Sequence, residues 1–372
     1  MEADYRRLRE EDRRLYAFFE LLRAGLWERP VEDTDVFPLS GDDWTFVYDF
    51  AVKQTVEGLI WRGIHHLEED SFPPDGILQK LVARVDYIER MNARTDHVIA
   101  DLLKIFNRLN VVPVIQKGQD AASMYEHPEL RTCGDIDFYF DSKNDFIIAN
   151  SSVRCRGKKL TPQSDGSYEY TWKRIPIEHH RKLLDIENPF LGPYLKSLER
   201  DNLMEKAVDG GLKLRVPSPE LNLLMLNAHI MKHAFILGIG LRQLCDMARA
   251  YHTLHHRYSG EELENIYSKA GLTKWSSLLH CFLVTYLGLQ EYCLPYRDGL
   301  ALPPEPLLDM VVKGGNFGQY NEKWTIRNRH LLTRKAYIFR TMFSKIDFHR
   351  ETAPFEAFCK FVHLTTGQAN DV

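Results

Sequence analysis

Residues Val111–Phe140 read VVPVIQKGQDAASMYEHPELRTCGDIDFYF, and the rest of the chain is organised around them. The stretch begins as a short apolar strand, turns at Lys117-Gly118, continues as a short helix and ends in a second strand that opens with Asp135 and Asp137. Side chains on a strand alternate between faces, so Asp135 and Asp137 share one side while Ile136, Phe138 and Phe140 share the other. One face is core, and the other presents two carboxylates.

Two carboxylates a few ångströms apart repel each other, and a divalent cation or a shared proton relieves the repulsion. Mg2+ held by one or two carboxylates together with substrate phosphates is the usual arrangement at phosphoryl-transfer sites. The segment Thr171–His180, TWKRIPIEHH, reads as a further strand with Ile175 and Ile177 on one face and Glu178 and His180 on the other. Laid beside the Asp135/Asp137 strand, it adds Glu178 as a third carboxylate. Three roles are open to His180: partner of a carboxylate, contact to substrate, or filler of the strand face.

These residues resemble the DNA polymerase beta-like nucleotidyltransferase superfamily, in which a strand, a glycine turn and a helix lead to Asp-hydrophobic-Asp, with a later acid on a neighbouring strand. More narrowly, Lys117-Gly118, Arg131, Gly134-Asp135-Ile136-Asp137 and Ile177-Glu178-His179-His180 resemble the bacterial uncharacterised nucleotidyltransferase family. Ala228 and His233 match that family's Ala-x-x-x-x-His helix, and Arg242 and Asp246 look like the Arg and Asp that follow it. Gln119 stands where the family's turn has a second small residue, and the interval from Gly118 to Asp135 is longer than the superfamily's.

The resemblance covers roughly residues 100–250. It implies an α+β fold, a small mixed sheet with helical regions before and after it. It also implies Mg2+, with Mn2+ as an alternative, at Asp135, Asp137 and Glu178, and an NTP, ATP first, as co-substrate. Lys117, Gly118 and Gln119 are expected to face the phosphates. Arg131 has three readings: a phosphate clamp, a hold on the aspartate pair, or a plain structural salt bridge. His233, Arg242 and Asp246 are expected to form a polar cluster between the core and the following helices, supporting the site or touching substrate. His229 and His233 have metal-ligand spacing on a helix, but no third ligand accompanies them.

At 372 residues the chain is long enough for a sizeable core and two or three domains. Its formal net charge of −4 speaks against a global grip on nucleic acid. Six cysteines are scattered without a CxxC pair, so neither a zinc site nor a disulfide framework is indicated, and a reducing cytoplasm fits best. The charged start MEADYRRLREEDRRLY lacks the apolar run of a signal peptide, and no apolar stretch reaches the ~18 residues of a membrane span.

Along the chain, apolar spacing predicts helices over about residues 4–25, 42–66 and 77–109, the last with Leu78, Leu81, Val82, Val85, Ile88 and Val98 among its buried stripe. The expected division is a helical region over residues 1–99, the sheet-bearing core over 100–185 and a mainly helical region over 186–372. Within the core, 142–150 reads as a helix and Val153–Cys155 and Tyr168–Trp172 as strands. The loop RGKKLTPQSDG carries Arg156, Lys158 and Lys159, either near substrate phosphates or in a solvated turn. Asp209-Gly210-Gly211 reads as a hairpin turn, Ser218-Pro219-Glu220 as a helix start, and about 241–255, 260–294 and 330–365 as further helices.

The expected function is transfer of an NMP group from Mg-NTP to a hydroxyl-bearing acceptor, a small molecule or a protein. Two other classes are open: a catalytically silent binding module of the same fold, and an RNA-interacting protein. The latter would use the basic, aromatic-interleaved run Lys323–Arg350, whose plainer reading is an amphipathic helix with a solvated basic side.

Overall fold

Helix formation dominates the first hundred residues, as their apolar spacing predicts. The structure, a computed structural model, describes residues 2–163, 165–236, 238–296, 302–314 and 331–366. Over 4–25 there are two helices in place of the expected one, Glu2–Glu11 and Arg13–Trp27. The break is at Asp12, whose carboxylate accepts the N–H groups of Arg14 and Leu15 and so caps the second helix. The helix expected over 42–66 is likewise two, Gly41–Gln54 and Glu57–Ile64, because Thr55 takes a left-handed conformation at φ 56° and ends the first.

Asp75–Asn107 is one helix of 33 residues, buried along Leu81, Val85, Ile88, Val98, Leu102 and Phe106. Val82, expected in that stripe, is 47% exposed. Each residue turns the helix by about 100°, so the neighbour of a buried Leu81 is carried off the inward face.

Seven strands form one mixed sheet: β1 (Val114–Gln116), β2 (Ile136–Tyr139), β3 (Thr161–Pro162), β4 (Tyr168–Trp172), β5 (Ile175–His180), β6 (Leu203–Val208) and β7 (Leu212–Pro217). Their order is β3-β4-β5-β2-β1-β7-β6. The pairs β2–β5 and β1–β7 are parallel, and the others are antiparallel. Two expected strands are corrected. Thr171–His180 is the tail of β4 and the whole of β5, folded back at Lys173 and Arg174, both with positive φ. Val153 belongs to the helix Lys143–Arg154, where its side chain is fully buried, and is not in a strand. The hairpin at 209–211 joins β6 to β7 as its glycines predict, and β7 carries it onto β1.

One face of the sheet is apolar. Ile115, Ile136, Phe138, Phe140, Ile175 and Ile177 cluster there with Val98, Leu102 and Phe106 of the long helix. His179 lies on this face among the rings of Phe106, Phe138, Phe140 and Tyr170. It is hydrogen-bonded to Asn150 Oδ1 at 2.9 Å and to the Tyr170 hydroxyl at 3.0 Å. Burial pushes its imidazole down to about 3, so it is neutral. The other face carries Asp137, Glu178 and His180.

Helices follow the sheet to the C-terminal end: Pro219–Ile236, Leu241–Leu254, Gly260–Lys269, Thr273–Leu287, Glu305–Gly314, Leu331–Ser344, Ile346–Thr352 and Pro354–Thr366. Among the described residues no helix is long and apolar enough to cross a membrane.

The helices Arg13–Trp27 and Glu57–Ile64 cross with glycine at the contact. A Cβ on Gly63 would stand 2.1 Å from the Leu21 carbonyl oxygen, whereas one on Gly76 would meet nothing within 4 Å. Gly63→Ala is therefore expected to lower stability by about 2–3 kcal/mol, through forced separation of two backbones. Gly76→Ala is expected to raise it by about 0.5 kcal/mol. Urea midpoints of the two variants check the pair; equal midpoints would contradict the close crossing.

Candidate active site

The parallel pairing of β2 with β5 sets Asp137 opposite Glu178 and Tyr139 opposite His180. Because residues two apart share a face, the acid and the imidazole of β5 both stand beside the acid of β2. His180 Nε2 donates to Asp137 Oδ1 at 2.9 Å and lies 3.6 Å from Glu178 Oε2. Ligand atoms of Asp137, Glu178 and His180 all fall within 4.8 Å of one another, the one such group of three found among the described residues. Glu178 also accepts a 2.5 Å hydrogen bond from the Ser167 hydroxyl, across the β4–β5 hairpin.

Charge in this cleft is unevenly shared. Burial pushes the Asp137 carboxyl up, but the His180 hydrogen bond and charge, with Lys117, outweigh it and hold it at about 2. His180 is raised in turn, because Asp137 overcomes the cost of burying an imidazolium. Asp135 is on the exposed mouth of the cleft. The Asp137 charge first, and its surroundings second, push its carboxyl up to about 6, against the pull of Arg242 and Lys117. Burial raises Glu178 as well. The oxygens of Asp137 and Glu178 with the His180 nitrogen are a donor set of the kind that divalent cations take, and Asp135, expected with them, lies outside this close group.

Lys117 enters from the turn after β1 with φ 47° and ψ −134°, a region that residues other than glycine rarely occupy. Its ammonium is 3.9 Å from Asp185 Oδ2. Asp185, in the loop after β5, is also bound by Lys232 Nζ and His229 Nδ1, each at 3.0 Å. Burial opposes its charge, but Lys232, His229 and Lys117 outweigh that and hold the carboxyl well below its usual range. Burial and Lys117 push His229 down to about 4, so a neutral imidazole donates to a charged Asp185.

The other residues singled out in the sequence fall into separate positions. Arg131 is buried and grips Asp246 through Nε and Nη2, both at 2.7 Å, while Nη1 reaches Cys133 Sγ at 3.0 Å. This salt bridge is to Asp246 and not to Asp135 or Asp137. The Tyr125 hydroxyl adds a 2.8 Å bond to the same carboxylate. Arg242 Nη1 donates to the Thr132 carbonyl at 2.8 Å, so the helix Leu241–Leu254 holds the Arg131–Cys133 approach to Asp135 at two points. Gln119 donates to Asp96 at 2.5 Å and accepts from Cys133 at 2.7 Å. His233 stacks edge-on with His229, ring centroids 4.4 Å apart, on the Asp185 side. Gly118 lies over the Asp135 carbonyl, which a Cβ there would approach to 3.6 Å.

In the basic loop, Arg156 bonds the Ser152 carbonyl and Lys158 covers the Trp172 ring. Lys323, Arg327 and Arg329 of the basic run lie outside the described residues, as do the side chains of Arg334, Lys335 and Tyr337. Arg340 and Arg350 are exposed. Asp185 and Lys232 were not anticipated. The signal available for Lys232 was a polar His-x-x-Lys-His patch in the otherwise apolar helix LNLLMLNAHIMKHAFI.

A family model described as "Uncharacterised nucleotidyltransferase" matches residues 40–288, two thirds of the chain and the whole of this cleft. No curated protein and no solved structure matches the chain.

The raised Asp135 carboxyl has a consequence for stability. Folding raises its proton affinity, so its contribution favours the native state below the unfolded value near 4 and becomes a penalty as pH rises through about 6. Discounted for solvent at this exposed side chain, the penalty is about 1 kcal/mol. Asp135→Asn is expected to raise the melting temperature at pH 8 in chelator by a few degrees and to give no gain at pH 4. Thermal scans at both pH values check it.

Proposed function

The chain belongs to the uncharacterised nucleotidyltransferase family, and on that premise we propose that it moves an NMP group from Mg-NTP, ATP first, to a hydroxyl-bearing acceptor. Family membership supports nucleotidyl transfer as the general activity. The observation that carries the finer reading is the in-register pair Asp137–Glu178, with Asp135 and Lys117 beside it. We read the cleft as of the DNA polymerase beta-like type.

In this reading Asp135 and Asp137 would hold the Mg2+. When bound, Mg2+ neutralises charge on the triphosphate and lowers the pKa of the acceptor hydroxyl. The acceptor oxygen forms its bond to the α-phosphorus as the bond from that phosphorus to the bridging oxygen breaks, and pyrophosphate leaves. Glu178 would either complete this metal site or, its proton affinity raised by burial, accept the hydroxyl proton. Lys117 and Lys232 turn two ammonium groups toward the phosphates, oriented by Asp185. Arg131 and Asp246 act through packing, by fixing the loop that delivers Asp135.

The alternative is a silent module of the same fold, and Gln119 is the feature that favours it, since its amide is tied to Asp96 and Cys133. Against it stand acids that repel one another without benefit to folding, Asp135 above all.

Calorimetric titration of each NTP with and without Mg2+ tests the reading. Asp137→Asn and Glu178→Gln are each expected to weaken Mg2+-dependent nucleotide binding by roughly 100-fold or more, as loss of a ligand to a catalytic metal does. Metal-independent binding of equal strength in wild type and variants would sink the metal-centred reading. Lys117→Gly, set against Lys117→Ala, is expected to separate function from stability. Because both changes remove the ammonium beside Asp185, strain is read from the difference: Lys117→Gly is expected to be on the order of 1 kcal/mol more stable than Lys117→Ala, with Mg-ATP binding about tenfold weaker in both. Equal stability of Lys117→Gly and Lys117→Ala would contradict the strain.

A further inference from the structure

We propose that the C-terminal segment, above all the helix Pro354–Thr366, is a positioning element of the active site that sets Asp185 and, through it, Lys117 and Lys232. The link to phosphate binding rests on the reading of the cleft given above; the positioning itself does not. The segment lies beyond the residues that the family model covers, which end at 288.

The contact is made two residues from Asp185. Glu187 has 9% of its side chain exposed and accepts from Lys360 Nζ at 3.0 Å and from His363 Nδ1 at 2.6 Å. Lys182 stands 3.3 Å from the same carboxylate. In the opposite sense, the Glu356 carboxylate accepts the backbone N–H of Glu187 and, at 3.1 Å, that of Asn188. Glu356, Lys360 and His363 follow at intervals of four and three, so they lie along one side of the helix. Loop and helix are joined by side chain and by main chain.

The same segment also holds the other half of the Asp185–Lys232 pair. Lys345 Nζ donates at 2.8 Å to the carbonyl of Ala234, two residues after Lys232 in the last turn of its helix. Ile338 and Met342 pack with Ile236 at that helix end. Both partners of a 3.0 Å ion pair in the cleft are therefore gripped, each at a distance of two residues, by one stretch of chain.

The orientation of the helix argues that this grip is not plain adhesion. Glu356 and Lys360 are only 7% and 5% exposed, while Phe355 and Phe358 of the same helix are 47% and 60% exposed. A helix docked for burial alone turns its phenylalanines inward and its charges out. Buried ion pairs bring little net stability, because desolvation offsets their attraction, but they fix geometry well. Geometry is what Asp185 needs, since it orients Lys117, Lys232 and His229 at once.

The test uses the full chain with Lys360→Met and Glu187→Gln, Lys360→Arg as the conservative variant, and His363→Gln as a milder lesion should either of the first two not fold. The nitrogen resonances of His229, assigned with His229→Gln, report the position of Asp185 without any nucleotide. Calorimetry with Mg-ATP reports the phosphate side. Lys360→Met and Glu187→Gln are expected to shift the His229 signals and weaken Mg-ATP binding five- to twentyfold, with Lys360→Arg close to wild type in both. Unmoved His229 signals in the folded variants overturn the proposal. Shifted signals with unchanged Mg-ATP affinity overturn its link to the phosphates. If wild type binds no Mg-ATP, the reading of the cleft falls, while the His229 signals still decide the positioning.

Discussion

Repulsion between carboxylates is the constraint that the rest of the structure answers to. Asp137 and Glu178 are brought together by strand pairing, Asp135 precedes β2 at the mouth of the same cleft, and each pays in proton affinity or in a dedicated partner. His180 offsets Asp137 directly, Ser167 offers Glu178 a hydrogen bond, and Lys117 and Arg242 draw on Asp135 from two elements. The turn at Lys117 is held in a strained conformation beside the same acids, and strain of that kind persists only where surrounding structure enforces it. Local cost is concentrated in this one cleft, and that concentration supports the proposed site.

Around the cleft lies a second layer that fixes its parts. The Arg131–Asp246 pair, with Tyr125 and Arg242, ties the approach to Asp135 to the helix Leu241–Leu254. Asp185 ties Lys117 to Lys232 and His229. Both layers use charge inside protein, where a lost partner is costly, so each contact specifies one arrangement more than it adds stability.

Much of this was legible in the sequence because alternation along a strand is a strict rule. Asp135-x-Asp137 and Glu178-x-His180 could be assigned to one face before any pairing was known, and the β2–β5 register then set them side by side. What was hidden has physical reasons. Thr55, Lys173 and Arg174 take positive φ without being glycine or asparagine, so the helix break and the β4–β5 turn carry no usual turn signal. Asp185 sits in a loop whose place depends on Lys232, His229 and the C-terminal helix, all distant in sequence. Arg131 near an aspartate pair could serve phosphate or packing equally well, and its bond to Asp246, distant in sequence, leaves no mark in the sequence.

The imidazole of His179, neutral and boxed in by four aromatic rings, sits between two residues whose side chains point the opposite way. A slip of β5 by one position against β2 would drive Glu178 and His180 into that aromatic box and turn Ile177 and His179 out toward water. Such a misfold would bury a carboxylate among rings while stripping apolar area from the core, a double penalty. The strand therefore proofreads itself: a chain that pairs in the wrong frame is rejected by the same alternation that assembles the cleft.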